Sequence, residues 1–417
     1  MRQLETTAPR SVYLGLAAVA LATSMYEILL TRVFSVTMWY HFAFLAVSAA
    51  MFGMTVGAML VYLLPAAFTE TRLRSQLAAS SLLFGVTIVL GFAAQLRIHF
   101  REPDTARAFL AIAATYLIVS VPFVFSGICV CLCLTRFPNQ VGWLYAADLT
   151  GAALGCVLLV LVLRATNAPA TMVLVGLLAT LGILFFAATG PPSFQRLSTA
   201  VCILLAVLAM AHAGILGRRS ASAAKSALSI RWVKGEEEGP LLYERWNSFS
   251  RVVVGGDADT PGEPFGWGLS AAYNGGRKVR QLYLTIDAGA GTVLTSFEGT
   301  PASLDYLRYD VTNIVHHLRP NATALVVGTG GGRDILSALA FGQRSVVGVE
   351  INGNIISAVN RRFGDFTGHL DGYPNVSFVN DEARSYIARQ TAQFDIIQIS
   401  LIDTWAATAA GDRKSVV

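Results

Sequence analysis

The chain has 417 residues, of which 54% are hydrophobic and 14% charged, against about 25% charged in an ordinary soluble domain. The deficit is confined to one half: residues 1–216 hold 11 Lys/Arg and 6 Asp/Glu, whereas residues 217–417 hold 20 of each. The net charge of +5 therefore belongs to loops of the apolar half, which argues against a basic face for nucleic acid; collagen, low-complexity disorder and a disulfide scaffold are also excluded.

Residues 1–216 read as a membrane domain. Seven segments approach the roughly 20 apolar residues of a spanning helix: 12–31, 42–64, 77–95, 109–134, 142–163, 168–188 and 198–216. The first is too long for a signal peptide, and more spans follow it. Arginines punctuate the breaks, among them Arg72, Arg74, Arg97, Arg101 and Arg107. Seven crossings put the termini on opposite sides, with about 6 Lys/Arg beside the spans on the N-terminal side and about 8 on the other. The positive-inside rule then turns the soluble half toward the cytoplasm.

Two acids fall inside spans, Glu27 in SMYEILLTR and Asp148 in LYAADLTGAALG. A charge at mid-bilayer costs about 3 kcal/mol, so each should face the bundle interior or a polar cavity. They serve either a cationic substrate or structural pairing, with Arg32 as the partner expected for Glu27. Gly53-x3-Gly57 and Gly151-x3-Gly155 read as seams for close helix packing. All five cysteines (Cys129, Cys131, Cys133, Cys156, Cys202) lie in apolar runs. Cys129, Cys131 and Cys133 would not converge on one helix face, so the cysteines read as small buried hydrophobes and no metal site is expected.

Residues 217–239 form a linker, with the charged run Glu236–Glu238. A small β domain spans 240–300, with strands at Ser250–Gly256, Val279–Asp287 and Gly291–Phe297. Apolar residues at Leu304, Leu307, Val311, Ile314 and Leu318 give Ser303–Leu318 a helical period. In 301–417 strands alternate with helices: strands at 322–328, 345–350, 376–380 and 394–400, helices at Arg333–Phe341, Ile351–Phe363 and Glu382–Arg389. That pattern predicts an α/β doubly wound parallel sheet of the Rossmann-like type, with ligands at the carboxyl ends of its strands. After the fourth strand an apolar edge is left open, so the sheet is expected to be truncated and the domain incomplete at its C-terminus. Asp412–Val417 matches no element such a sheet needs.

The chemistry concentrates in VVGTGGGRD, Val326–Asp334. Gly328, Gly330 and Gly332 allow a sharp turn and close approach to a ligand. Glu350 closes the next strand, where an acid accepts hydrogen bonds from ribose hydroxyls. The G-x-G-x-G spacing, with Arg333 where a dinucleotide loop has its third glycine, suits an S-adenosyl cofactor. Asp381 either meets the adenine amine or caps a helix.

WNSFSRVVV, LYLTID, SLDYLRYD, VVGTGGGRD, VGVEIN, FVNDEARSY and FDIIQISLIDTW occur in the order seen in spermidine synthase-like proteins. The chain resembles the polyamine aminopropyltransferases, including members fused to a multi-span membrane domain. The resemblance implies a β domain ahead of a methyltransferase-type sheet, decarboxylated S-adenosylmethionine as donor and a polyamine amine as acceptor. It assigns Gly328, Gly330, Gly332, Glu350 and Asp381 to the cofactor. It assigns Asp287, Tyr309 and Asp403 to the reaction.

Departures from the family pattern are specific. Ala288 replaces the glycine after Asp287, Gly331 replaces an aspartate, and Asp310 and Val311 replace a His and a Glu. Ser400 stands where the catalytic aspartate ends the fourth strand. Amine attack on the carbon beside a sulfonium needs the amine neutral, so a carboxylate should take its proton; Asp403 is either that base or a turn residue. His316 and His317 are expected to be non-catalytic. The chain is thus expected to be a transferase using S-adenosylmethionine or its decarboxylated form. Its partners would be the lipid bilayer and a small-molecule amine or membrane-associated substrate. Methyl transfer is one alternative, and a non-catalytic polyamine transporter or ligand sensor another.

Overall fold

The computed structural model describes residues 7–100, 106–186, 192–217, 228–273 and 277–402. The chain forms two compact units, which divide near Gly239. Among its described residues the first holds seven α-helices: α1 (Arg10–Thr37), α2 (Ala43–Leu63), α3 (Leu73–Gln95), α4 (Ala106–Arg136), α5 (Val141–Ala165), α6 (Ala168–Phe186) and α7 (Pro192–Gly217). Among the described residues six helices, α1 to α6, are long and apolar enough to cross a membrane. The seventh expected span, 198–216, falls on α7, of which Thr199–Ala211 is an apolar helix among the described residues.

The glycine seams set the packing. A Cβ on Gly151 would overlap the carbonyl of Ala17, and one on Gly155 that of Leu21. Both residue numbers rise together, so α1 and α5 run parallel. Gly53 meets Ser120 and Gly57 meets Val124 in the same sense, making α2 and α4 parallel. Gly15 against Phe186 and Gly182 against Val19 make α1 and α6 antiparallel. These directions are those of helices that alternate up and down through one slab. Large apolar side chains such as Met51, Phe52, Trp143 and Leu154 stay exposed on α2 and α5, where lipid would cover them. Cysteine burial is less uniform than expected. Cys129 and Cys133 are buried, Cys131 and Cys202 half-buried and Cys156 exposed, because α5 turns Cys156 away from its seam on α1.

Glu27 and Asp148 are both half-buried. The α1–α5 register separates them by about 20 Å of helix rise, since Asp148 lies one turn before Gly151 and Glu27 lies well beyond Leu21. They do not share one site. The expected linker contains a small hairpin, β1 (Trp232–Val233) and β2 (Glu236–Glu237), turned at Lys234 and Gly235 with φ of 49° and 89°.

The second unit begins with the antiparallel sheet of β3 (Leu241–Trp246), β4 (Arg251–Gly255), β5 (Gln281–Ile286) and β6 (Ala290–Thr295), in that order. Sequence patterning missed β3, whose LLYERW lacks a clean alternation. The expected helix over Ser303–Leu318 is instead two 3-10 turns, Pro301–Tyr309 and Val311–Asn313, followed by α8 (Ile314–Leu318). Asp310 breaks it, at φ −95° and ψ 124°, with its side chain accepting from the Thr312 N–H.

Then come β7 (Thr323–Val327), α9 (Arg333–Ala340), β8 (Ser345–Glu350), α10 (Gly353–Ser357), α11 (Gly364–Thr367), β9 (Val376–Asn380), α12 (Ala383–Arg389) and β10 (Ile396–Ile399). The helix expected over Ile351–Phe363 starts later, with Asn352 as its cap, and passes into a π turn at Ala358–Arg362. All four strands of this sheet are parallel, in the order β10-β7-β8-β9. One core joins Val252, Leu284 and Leu294 of the first sheet to Val326 and Val346 of the second and to Ile335 of α9. On β10, Ile397 and Ile399 are exposed.

Candidate functional site

Chain order and spatial order disagree at one place in the parallel sheet. β7 is followed in sequence by β8 on one side, and the last strand, β10, returns to its other side. The crevice at the carboxyl ends of strands flanking such a switch point is where open α/β sheets bind ligands. The glycine loop leaves β7 at that place, and Ser400 leaves β10 beside it.

Gly328, Gly330 and Gly332 have φ of 75°, 49° and 86°. Gly332 needs that freedom most, because it is the left-handed N-cap of α9. Gly331 is constrained differently: a Cβ there would overlap the carbonyl of Val293 on β6. No aspartate fits where the resemblance expects one. Buried Glu350 holds the loop from below, its Oε2 accepting the Gly330 N–H at 3.2 Å and its Oε1 the Asn352 N–H at 2.9 Å. Burial pushes its carboxyl above the usual range, and the N–H groups of Asn352, Gly330, Thr329 and Ile351 pull back against that rise. The Thr329 hydroxyl is buried without a partner among the described residues.

Asp381 follows β9, and its N–H donates to the Glu350 carbonyl at 3.2 Å. Its carboxylate pairs with Arg389 and accepts from the Glu382 N–H. The helix cap is Glu382, which accepts from Arg384 and Ser385, so the capping alternative for Asp381 does not hold. The loop glycines, Glu350 and Asp381 therefore gather at neighbouring strand ends. Tyr309 is exposed beside Tyr273, ring centroids 5.4 Å apart. Asp287 lies in the β5–β6 turn, fully buried, with Oδ1 accepting the Arg251 N–H at 2.6 Å. Asp403 lies outside the described residues.

Sequence reasoning missed a buried polar network beside Ser400. Asp310 pairs with Arg333 and accepts from the N–H and hydroxyl of Thr312 at 2.9 and 2.7 Å. Burial raises its carboxyl, but Thr312 and Arg333 bring it net below the usual range. Asp334 sits 3.5 Å from Arg333. Burial outweighs the pull of Ser400 and Arg333 and holds its carboxyl above the usual range. His316, 1% exposed, links Gln343 at 3.1 Å to Gln398 at 2.9 Å, and Gln398 donates to Ser400 at 3.2 Å. Burial lowers the His316 pKa. Arg333, out of place in a dinucleotide loop, was the one signal in the sequence.

A 128-residue stretch, 29% of this chain, is 28% identical to a polyamine aminopropyltransferase of Thermoplasma volcanium and spans 45% of that protein. The chain thus matches under half the length of this relative. The similarity supports a spermidine synthase-like relationship at family level. No family model matches the chain, and no solved structure matches it.

Proposed function

We propose that this chain is a membrane-anchored, spermidine synthase-like transferase that binds an S-adenosyl cofactor and alkylates an amine. The observation that carries the reading is the glycine loop closed by buried Glu350 at the switch point of a parallel sheet. The residues present suit the group. Glu350 is an acceptor for ribose hydroxyls, the Thr329 hydroxyl has an unmet hydrogen bond, and Asp381 stands at the next strand end for adenine. The cofactor would supply an electrophilic carbon beside a sulfonium; the chain supplies its orientation and a route for the amine's proton. The distant similarity to a polyamine aminopropyltransferase favours the decarboxylated cofactor and a polyamine acceptor. The arginine distribution favours the second unit in the cytoplasm, and the resemblance to membrane-fused bacterial members favours a bacterial inner membrane.

Methyl transfer to a membrane-associated substrate is the second reading, favoured by Ser400 in place of the fourth-strand aspartate. Mass spectrometry of products from purified protein separates them. Methylthioadenosine from the decarboxylated cofactor and an amine establishes aminopropyl transfer; S-adenosylhomocysteine from S-adenosylmethionine establishes methyl transfer. Release of neither product, with each cofactor bound, refutes both.

A further inference from the structure

Asp381 stands where a bound adenine would need a carboxylate, yet that carboxylate already has a partner. Its backbone is pinned beside the end of β8. The Asp381 N–H donates to the Glu350 carbonyl at 3.2 Å, and Asn380 Nδ2 donates to the carbonyls of Glu350 and Ile351 at 2.8 and 3.0 Å. The side chain is turned by its own neighbour, since Oδ1 accepts the Glu382 N–H at 2.8 Å. An ionised carboxylate only accepts hydrogen bonds. Oδ2 is therefore the oxygen left for a ligand, and Arg389 Nη2 donates to it.

Arg389 is an uncommon source for that bond. It lies in the last turn of α12, where the helix macrodipole already favours a cation. From there it turns back along the helix to a carboxylate that precedes the first turn. Helical side chains lean toward the N-terminus, which makes the reach possible. The neighbouring acid and arginine pair locally instead: Glu382 accepts the Arg384 Nε–H at 2.9 Å while it caps the helix. The Asp381 and Arg389 side chains are 27% and 62% exposed. Ion pairs as open as this hold weakly, and salt weakens them further. The guanidinium covers the carboxylate without sealing it.

We propose that Arg389 is a built-in competitor for the adenine site, so that the cofactor's exocyclic amine takes Asp381 Oδ2 by displacing the guanidinium. This competition presupposes the S-adenosyl cofactor proposed above, and it sets how tightly that cofactor is held. Both groups are donors, and both need the one oxygen that Glu382 leaves open. Once displaced, Arg389 keeps its charge in solvent at the C-terminal end of α12, where the dipole favours it. The consequence is a reversed salt dependence. A ligand that competes with an ion pair binds more tightly as salt loosens the pair.

Calorimetry on the full chain in a non-ionic detergent tests this. Methylthioadenosine is the probe, because it carries the adenosine and no charge. Its affinity for the parent should rise about two- to threefold between roughly 0.05 M and 0.5 M sodium chloride. Arg389→Gln should bind it about two- to fivefold more tightly than the parent at low salt and lose the salt dependence. Arg389→Lys keeps the charge but not the planar fork and should fall between the two. Asp381→Asn should bind it about tenfold more weakly than Arg389→Gln does. Adding Arg389→Gln to Asp381→Asn should change nothing further, because the acceptor they contest is gone. Unchanged or weaker binding in both Arg389→Gln and Arg389→Lys would overturn the competition alone. An effect of Arg389→Gln that persists beside Asp381→Asn would overturn it too. A parent that binds neither methylthioadenosine nor S-adenosylmethionine at any salt overturns the cofactor reading, and the competition with it.

Discussion

Gly331 touches Val293 backbone to backbone: any Cβ at residue 331 would occupy the space of the Val293 carbonyl. The glycine loop is thereby pressed onto β6, and the aspartate that the resemblance expects has no room. Overpacking a rigid backbone contact costs about 3 kcal/mol or more. Gly331→Ala should lower the melting temperature of the purified protein clearly, and Gly331→Asp should abolish folded expression. A Gly331→Asp variant that melts like the parent would show that β6 yields to the loop.

Glu350 serves the loop as well as any ligand, so its substitutions must be read in pairs. Glu350→Ala leaves the half-buried Gly330 N–H and the buried Asn352 N–H without their acceptor, at about 1–3 kcal/mol for the buried one. Glu350→Gln keeps one acceptor oxygen and should melt closer to the parent. Both should lose about ten- to a hundredfold in affinity for S-adenosyl compounds, as expected for a lost charge-assisted bond. Calorimetry beside thermal melts checks this. Unchanged affinity in Glu350→Gln removes Glu350 from the ribose.

What was legible in the sequence were features with a local cause. The three β7–β9 strands, the glycine turn and the glutamate after it are encoded in runs of a few residues. The Gly151 and Gly155 seam is a spacing of four, which suffices because helices repeat their faces at that interval. Ser303–Leu318 misled because an apolar period of three to four suits 3-10 turns as well as an α-helix. Asp310 breaks the helix by capping the Thr312 N–H, and its pairing with Arg333, 23 residues away, holds it there. The polar network was hidden for the same reason. Asp334, His316 and Ser400 come from three separate segments, and nothing local to any of them announces the other two.

The buried His316 ties stability to acid pH. Its folded pKa lies below the ordinary histidine value because burial disfavours the charged ring. The unfolded chain therefore takes up a proton near pH 6.5 that the folded chain refuses until lower pH. This contribution is full above about pH 6.5 and lost as pH falls below it, by about 1.4 kcal/mol per pH unit at most. Asp334 and Glu350, held above their usual range, slope the opposite way, so the difference between parent and His316→Gln isolates the ring. Urea or thermal unfolding between about pH 7 and pH 5 should give the variant the flatter acid limb. Equal slopes would place the ring in water.

In the helical unit, Gly151 and Gly155 should tolerate no larger side chain. A Cβ on either meets a carbonyl of α1, and helix association in lipid depends on such close approach. Gly151→Leu and Gly155→Leu should reduce the yield of monodisperse protein in detergent and lower its melting temperature by several degrees. Gly142 is the internal control: it lies on the same helix with open space around its Cβ position, and Gly142→Ala should match the parent. If both seam variants behave like Gly142→Ala, the α1–α5 packing is wrong.

The β5–β6 turn carries two residues in the left-handed region, Asp287 at φ 49° and Ala288 at φ 51°. The Gly289 N–H donates to the Ile286 carbonyl at 3.0 Å, and a turn of this handedness requires positive φ at both central positions, with Asp-Gly the favoured pair. Ala288 stands where glycine would be relaxed, and a non-glycine residue there costs about 1 kcal/mol. Ala288→Gly recovers part of that cost and returns some as greater freedom of the unfolded chain. The expected result is a small rise in melting temperature, opposite to the usual effect of adding a glycine to an element. Asp287→Ala should do the reverse. The carboxylate that accepts the Arg251 N–H is lost inside the protein, leaving a buried donor unsatisfied at about 1–3 kcal/mol. Since β4 pairs with β5 from Val252 onward, the damage should spread into the sheet and show as a broader unfolding transition. Asp287→Asn keeps an acceptor oxygen at the same place and should fall between Asp287→Ala and the parent. A stable Asp287→Ala protein would free this acid for the chemical role that the family resemblance assigns to it.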